Sequence, residues 1–197
     1  MSTATVVLMT TAVRPSEARE RLLRTASDLF YAEGLRGVGV DRVIAEATVT
    51  RATFYRHFPS KEALVVAYLE GVDRTVRDQA GPVPDGAAAG EWLLRLTTSF
   101  GDQVCRVGFR GCAFINAAAE YPDAASPVRR AVLAHREWLE AAVTEAFRRA
   151  GHPRPTEAGR HWMVLRDGAM VAGYLADPAD AQATLTAGVR DLLSQSA

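Results

Sequence analysis

The chain has 197 residues, of which 48% are hydrophobic and 23% are charged. This length is sufficient for one or two domains with a buried core, and the composition excludes a disordered chain. No run of about 18 apolar residues is present, which argues against a membrane span. The short apolar run near the amino terminus lacks the basic segment of a secretory signal, so we expect a cytoplasmic protein.

The formal net charge is zero, but the charge is unevenly distributed. Residues 1–61 carry nine basic and six acidic residues, against fourteen and seventeen in the remainder. This asymmetry alone is too small to indicate a nucleic-acid surface. The two cysteines, Cys105 and Cys112, are too few for a disulfide framework and lack neighbours at zinc spacing. We expect both to be small buried residues and no metal site, and a redox pair is the lesser alternative.

The amino-terminal third predicts a disordered arm followed by three helices. Residues 1–14 have no periodicity and form the expected arm. Ser16 can cap a first helix that stops at Gly34, because its apolar residues recur at helical spacing. A second, two-turn helix follows Gly39, and Thr50 can cap a third that runs to about His57 before a proline ends it. Helices this short require packing on the first one.

The rest of the chain predicts further helices separated by glycine and proline signals. Ser60 can cap a fourth helix that ends near residue 79, and residues 81–86 form the clearest loop. The remaining helices are expected at about 87–106, 111–120, 127–150, 156–176 and 179–194. The predicted protein is therefore all-α with about nine helices. It has a helix-turn-helix head over 15–61, with the motif at about 38–57, and a larger helical domain over 62–197.

A short helix, a tight turn and a second short helix are typical of a motif that presents one helix to the major groove of DNA. The outward candidates of that helix can all form hydrogen bonds and none is acidic. They are Thr50, Arg51, Thr53, Tyr55, Arg56, His57 and Lys61. Val49, Phe54 and Phe58 are expected to face inward.

The arginines suit guanine or phosphate, the threonine hydroxyls suit phosphate, and the Thr53 methyl suits thymine. Tyr55 and His57 suit phosphate oxygens. Lys61 lies in the first turn of the fourth helix, where backbone amides also favour a phosphate. The alternatives are a solvated face for the basic side chains, a core position for Tyr55, and a structural role at the helix end for His57.

Residues 49–64, with the sequence VTRATFYRHFPSKEAL, closely resemble the helix-turn-helix signature of the TetR (tetracycline repressor) family. The similarity in sequence is strong over about 20–64, and the helix plan resembles the family over nearly the whole chain. Two departures stand out. Val38-Gly39 replaces a family hydroxyl that contacts a phosphate, and Thr48 replaces the usual turn glycine, where a left-handed conformation would cost about 1 kcal/mol or more.

The resemblance implies that the larger domain binds a small effector and forms a homodimer. The expected pocket consists of aromatic residues with a few polar ones, although aromatic residues at helical spacing are more often plain core. The candidates are Trp92, Phe100, Phe109, Phe114, Asn116, Glu120, Trp138, Trp162 and Arg166. Apolar stripes on the last two helices predict a four-helix dimer interface. Its candidates are Leu165, Ala169, Ala172, Leu185, Val189 and Leu192.

These patterns predict a ligand-responsive transcriptional repressor that binds a pseudo-palindromic operator as a homodimer and leaves it when an effector binds. An architectural DNA-binding protein without an effector is the first alternative. A helical enzyme is the second, but the sequence offers no catalytic constellation and indicates no cofactor. His135 and the acidic residues after it are expected on a solvated helix face.

Overall fold

A computed structural model of the chain describes residues 16–196, and this part of the protein consists of helices and connecting turns. The nine helices in this range are α1 (Glu17–Glu33), α2 (Val40–Glu46), α3 (Arg51–His57), α4 (Lys61–Ala80), α5 (Ala87–Val104), α6 (Ala113–Glu120), α7 (Pro127–Arg149), α8 (Pro155–Leu175) and α9 (Pro178–Leu193). The all-α prediction is confirmed. The arm expected over residues 1–14 lies outside the described residues.

Side-chain caps explain why these helices begin where they do. The hydroxyls of Ser16, Thr50 and Ser60 each accept a backbone N–H three residues further on, at 3.2, 3.1 and 3.1 Å. Ser126 and Asp177 act in the same way, and each is followed by a proline in the first turn. Such caps satisfy N–H groups that the helix itself leaves unpaired. These were the signals that predicted the helix starts.

The connection between α5 and α6 is longer than the sequence indicated. Helix α5 ends at Val104 and α6 begins at Ala113, where the periodicity predicted about 106 and 111. Gly108 and Gly111 lie in this connection with φ of 80° and 83°. Such angles favour glycine and interrupt a helix, so the chain turns here before α6 starts.

Helix α4 belongs to both parts of the fold. Near its amino end it packs on α1, which also carries α2 and α3, and farther along it packs on α6 and α7. The body comprises α5–α9, in which α5, α7, α8 and α9 pack around fully buried side chains such as Leu139, Phe147 and Trp162, and α6 packs on α7. The head is therefore connected to the body through one continuous helix. None of the helices in residues 16–196 is both long and apolar enough to span a bilayer.

Candidate nucleic-acid interface

The turn between α2 and α3 is closed by backbone hydrogen bonds and one unusual residue. Thr48 N–H donates to Ala45 O at 3.1 Å, and Val49 N–H donates to Ile44 O at 3.2 Å. Thr48 has φ of 54°, the left-handed conformation that the missing turn glycine implied. A β-branched residue is disfavoured there by about 1–2 kcal/mol. Helix α3 thus starts from a tight and strained turn.

Helix α3 is fixed to the head by two aromatic residues. Phe54 and Phe58 are buried, and their ring centroids lie 6.1 Å apart. The Arg19 guanidinium lies 5.2 Å from the centroid of the Phe58 ring, and Val49 is half-buried at the start of the helix. These residues hold one face of α3 inward as predicted, so the opposite face is presented to solvent.

The solvent-facing side of α3 carries several of the predicted DNA-contacting residues. Thr50, Arg51 and Arg56 are exposed, whereas Thr53 and His57 are half-buried. Tyr55 is 46% exposed, and its ring meets Phe54 edge to face at 5.1 Å between centroids. A core position for Tyr55 is therefore excluded, and its hydroxyl projects from a rigid base.

The two arginines of this face differ in their surroundings. Arg51 forms a salt bridge with Asp41 in the first turn of α2. Among residues 16–196 Arg56 has no salt-bridge partner, and it lines an open groove with Thr50 and Thr53. The Asp41 contact was missed at the sequence level, because nothing in a separation of ten residues indicates that two side chains meet. Arg51 is therefore engaged within the head.

Two other candidates contact the head itself. His57 Nε2 lies 3.0 Å from the Ser16 hydroxyl at the start of α1. Lys61 was expected to face outward, but its ammonium donates to the carbonyl oxygen of Arg36 at 3.1 Å, and burial lowers its pKa below the ordinary value. The side chain lies back over the turn after α1. Both side chains are therefore hydrogen-bonded within the head.

The head is joined to the body by a carboxylate from α6. Glu120 accepts backbone N–H groups from Leu35 at 2.9 Å and from Arg36 at 2.6 Å. Gly34 has φ of 90°, and a Cβ atom there would lie 3.4 Å from a Glu120 oxygen. The positive φ therefore favours glycine here, whereas a Cβ atom would only be in ordinary van der Waals contact with the carboxylate. We call this contact between Glu120 and the turn after α1 the head–body clasp.

The residues expected to form an effector pocket do not share one cavity. Trp92, Phe100, Phe114, Trp162 and Arg166 are buried core residues, 0–4% exposed. The indole of Trp92 donates to Ala80 O at 2.6 Å, and that of Trp162 donates to the Thr97 hydroxyl at 2.9 Å.

The other members of the expected pocket lie elsewhere. Phe109 and Trp138 are partly buried against the core. Asn116 and Glu120 line a different space, between α6 and the head. The single aromatic pocket is thus corrected to a packed core plus a junction cavity, because helical spacing alone does not separate lining from packing.

A buried histidine that is hydrogen-bonded to a carboxylate replaces the solvated face expected around His135. This side chain is 2% exposed, stacks on Phe114 at 3.7 Å between centroids, and contacts Asp73 of α4 through Nδ1 at 2.7 Å. Burial lowers the pKa of His135, although the hydrogen bond to Asp73 opposes this. Burial also acts to raise the pKa of Asp73, but hydrogen bonds from Arg77 and His135 outweigh it and hold that pKa below its ordinary value. Three helices meet at this neutral histidine.

The two cysteines differ in burial. Cys112 is buried and its sulfur lies 3.2 Å from Nη2 of Arg166. Cys105 is exposed, against the prediction, because it follows the last residue of α5 at the start of the turn. No group of three or more potential metal ligands is found among residues 16–196.

The predicted dimer residues divide into packed and accessible ones. Ala169, Leu185 and Val189 are buried within the protomer and hold α8 and α9 against the body, so they offer little to a partner. Leu165 and Leu192 are partly buried, and Ala172 is exposed. The exposed apolar surface on α8 consists instead of Val164, Val171, Tyr174 and Leu175, which are 44–75% exposed. The stripes are apolar as predicted, but periodicity does not show whether the same protomer or a partner subunit covers them.

The head of the protein matches a known family model. The model of the family described as bacterial regulatory proteins, tetR family, matches residues 22–68. A TetR-family transcriptional regulator from Streptomyces coelicolor has a similar crystal structure, with a TM-score of 0.85 and 49% sequence identity over 91% of this chain and 95% of that one.

Two curated regulators are also similar. The chain is 30% identical to the transcriptional regulator AcuR of Cereibacter sphaeroides, over 68% of this chain and 63% of AcuR. It is 28% identical to the HTH-type transcriptional repressor NemR of Escherichia coli, over 59% of this chain and 60% of NemR. The chain thus spans less than two thirds of the length of these two proteins.

A helix-turn-helix head carried by α4 on a helical body defines a class of transcriptional regulators. Within that class the match to the family model and the similarity along nearly the whole Streptomyces regulator agree. The chain belongs to the TetR family.

Proposed function

We propose that the chain is a homodimeric transcriptional repressor that binds a pseudo-palindromic operator through α3 and leaves it when a small-molecule effector binds. The observation that carries this is the outward face of α3, where Arg51, Tyr55 and Arg56 are exposed on a helix anchored by Phe54 and Phe58. The segment 50–61 contains no acidic residue that would repel phosphate.

Each side chain of the face has a contact suited to its chemistry. Arg51 and Arg56 form bidentate hydrogen bonds with guanine or salt bridges with phosphates, and the Thr53 methyl contacts the methyl group of thymine. The hydroxyls of Thr50 and Tyr55, together with His57 and Lys61, bind phosphate oxygens. The family hydroxyl replaced at Val38-Gly39 is absent, since Val38 is buried and Gly39 caps α2 without a side chain. The remaining phosphate contacts therefore hold the protein on the DNA backbone.

A dimer follows from the exposed apolar surface of α8. A groove of about 340 Å³ between α8 and α9 is lined mainly by small and apolar residues, among them Val164, Leu165 and Ala172. Packing α8 and α9 of two subunits side by side would cover it and form a four-helix interface. Two linked heads then read two half-sites about one DNA turn apart. An effector acts by favouring a conformation in which this spacing is lost.

A gel-shift assay with the DNA upstream of the chain's own gene tests the reading face. Arg51→Ala and Tyr55→Phe are expected to abolish or strongly weaken the shift, because each removes a direct contact while leaving the buried anchors intact. Arg160→Ala is the matched control, since this exposed arginine lies on α8 away from the head. Circular dichroism shows whether the variants fold. An unchanged shift for both α3 variants contradicts the assignment of this face.

A further inference from the structure

Two cavities meet beneath the head at Tyr68 of α4. One, of about 180 Å³, lies between α1, α4 and α6. The other, of about 340 Å³, lies between α1, α4 and α5. Tyr31, Tyr68 and Ala113 line both cavities, so the two spaces share a wall. Since α1 belongs to the head and α6 to the body, anything bound in the smaller cavity touches both parts.

Tyr68 is the polar side chain of this wall that lacks a partner. It is only 5% exposed, and its ring meets Phe30 edge to face at 5.9 Å between centroids. Among residues 16–196 its hydroxyl forms no hydrogen bond. The hydroxyl of Tyr31, on the same wall, accepts the Arg110 N–H at 3.0 Å and donates to Gly111 O at 3.3 Å. The Tyr68 hydroxyl therefore has no protein partner to displace and is available to donate a hydrogen bond to a molecule in the cavity.

The wall also restricts the chemistry of the occupant. Burial raises the pKa of Tyr68, so its hydroxyl stays protonated and donates to an acceptor. The carboxylates of Glu33 and Glu120 line the smaller cavity and disfavour an anion, and the one cationic side chain of its lining, Arg110, is exposed. A cavity of about 150 Å³ in a protein core binds benzene. A space of about 180 Å³ therefore suits one ring with a small substituent.

We propose that the cavity between α1, α4 and α6 binds an uncharged single-ring compound whose oxygen accepts a hydrogen bond from the Tyr68 hydroxyl. Identifying this compound as the effector rests on the proposed function, whereas its binding does not. The occupied cavity includes Glu120, which forms the head–body clasp. A ligand at this site therefore acts directly on the contact that orients the head.

Calorimetric titration of the full chain in the absence of DNA tests the site with two probes. Acetophenone carries a carbonyl acceptor, and ethylbenzene has nearly the same shape without the oxygen. Both are expected to bind saturably to the unmodified chain. Tyr68→Phe should weaken acetophenone binding about five- to tenfold, the effect of one neutral hydrogen bond, and leave ethylbenzene binding within about twofold. Equal effects on both probes, or no saturable binding of either, overturn the proposal.

Tyr31→Phe is the matched control because it removes a hydroxyl on the same wall that already has protein partners. It is expected to leave the ratio of the two affinities unchanged, even where the adjacent turn is loosened. The titration contains no DNA, so its outcome is separate from that of the gel shift. Probe binding through Tyr68 in a chain that does not shift DNA contradicts the proposed function and retains the site, and the converse result overturns the site alone.

Discussion

Thr48 holds the turn of the helix-turn-helix in a conformation that suits glycine. Its φ of 54° brings the β-branched side chain close to its own backbone, and the side chain is exposed, so it gains little from packing. Thr48→Gly is expected to raise the free energy of unfolding by about 1 kcal/mol, because relief of this strain exceeds the added freedom of the unfolded chain.

Thermal and chemical unfolding measure this change. Thr50→Gly serves as the control, since Thr50 has an ordinary extended conformation and caps α3 through its hydroxyl. That variant is expected to lose stability. A loss for Thr48→Gly as well would show that the turn is not strained.

In the proposed DNA complex, Asp41 competes with DNA for Arg51. The two side chains form an exposed salt bridge, which contributes little stability by itself. Asp41→Asn is expected to tighten operator binding several-fold, because it frees the guanidinium and removes a negative charge near the phosphates. The effect should shrink as salt is added.

Fluorescence anisotropy with labelled operator DNA at two salt concentrations checks this. Glu17→Gln is the matched control, because Glu17 forms a similar exposed pair with Arg21 on α1. Equal affinities for the Asp41 variant and the unmodified chain would indicate that Arg51 does not leave its partner.

Single residues divide into those whose environment a sequence can indicate and those whose environment it cannot. The glycine missing at Thr48 was visible because the turn geometry dictates a residue type. The contacts of Asp41 with Arg51 and of Glu120 with Leu35 were not visible, because they join parts of the chain whose relative position depends on the whole fold. In the sequence, Tyr68 is recognisable only as one residue on the apolar face of a predicted helix.

Helix α6 contacts the head through the head–body clasp. Glu120→Gln keeps the size of the side chain but offers one carbonyl oxygen where two carboxylate oxygens accept N–H groups. Hydrogen bonds to a charged group are worth about 1.5–3 kcal/mol each, so the turn after α1 should open more often. Hydrogen exchange of the Leu35 and Arg36 amides is expected to quicken about tenfold or more.

Exchange at Ala63 provides an internal reference for this prediction, because its N–H is held by Ser60 within α4 and does not contact α6. Unchanged exchange at Leu35 and Arg36, measured by NMR, would show that Glu120 is not what restrains the turn. Faster exchange at all three positions would indicate general loss of stability.

The buried pair of Asp73 and His135 joins α4 to α7 and makes stability depend on pH. Burial lowers the pKa of His135 in the folded protein, so the unfolded chain takes up a proton first as pH falls. The contribution of His135 to the free energy of unfolding is therefore greatest above the ordinary histidine pKa of about 6.5 and decreases below it. Asp73 stays ionised throughout this range, since its pKa is held low.

Urea denaturation between pH 5 and 8 measures the slope. His135→Gln is expected to be less stable at pH 8 and to show a flatter dependence on pH. His161→Gln, which changes an exposed histidine on α8, should leave the slope unaltered. A slope that persists without His135 would assign the dependence to other groups.

The helices could be predicted from the sequence where residues at their ends form capping hydrogen bonds. Ser16, Thr50 and Ser60 cap the helices that their position indicated, because capping is a local interaction. Packing between helices is not local, so the apolar stripes of α8 and α9 revealed burial without revealing the partner. For the same reason the sequence could not show that most of the aromatic pocket candidates are packed in the core, since an aromatic residue fills a core and lines a cavity with the same spacing.

The whole molecule is expected to be a dimer held by α8 and α9. Val164 is 71% exposed on the apolar face of α8. Val164→Asp would bury a charge in the interface, so the chain should become monomeric at micromolar concentration. Operator affinity should fall by several orders of magnitude, because the two half-sites would no longer be bound as one unit.

Light scattering coupled to size-exclusion chromatography measures the mass, and Val107→Asp is the control. Val107 is a fully exposed valine in the turn between α5 and α6, so the same substitution there introduces the charge without covering it. A dimer that persists in the Val164 variant would place the interface elsewhere.

The continuity of α4 has a mechanical consequence. Its 20 residues span about 30 Å, with the head fixed near one end and the body near the other. A tilt of about 5° at the body would displace the head by about 2.6 Å, following from that length. In a two-fold dimer both heads move, so their separation would change by up to about 5 Å against the roughly 34 Å between half-sites. We therefore expect that a shift too small to disturb the core takes the proposed dimer out of register with its DNA.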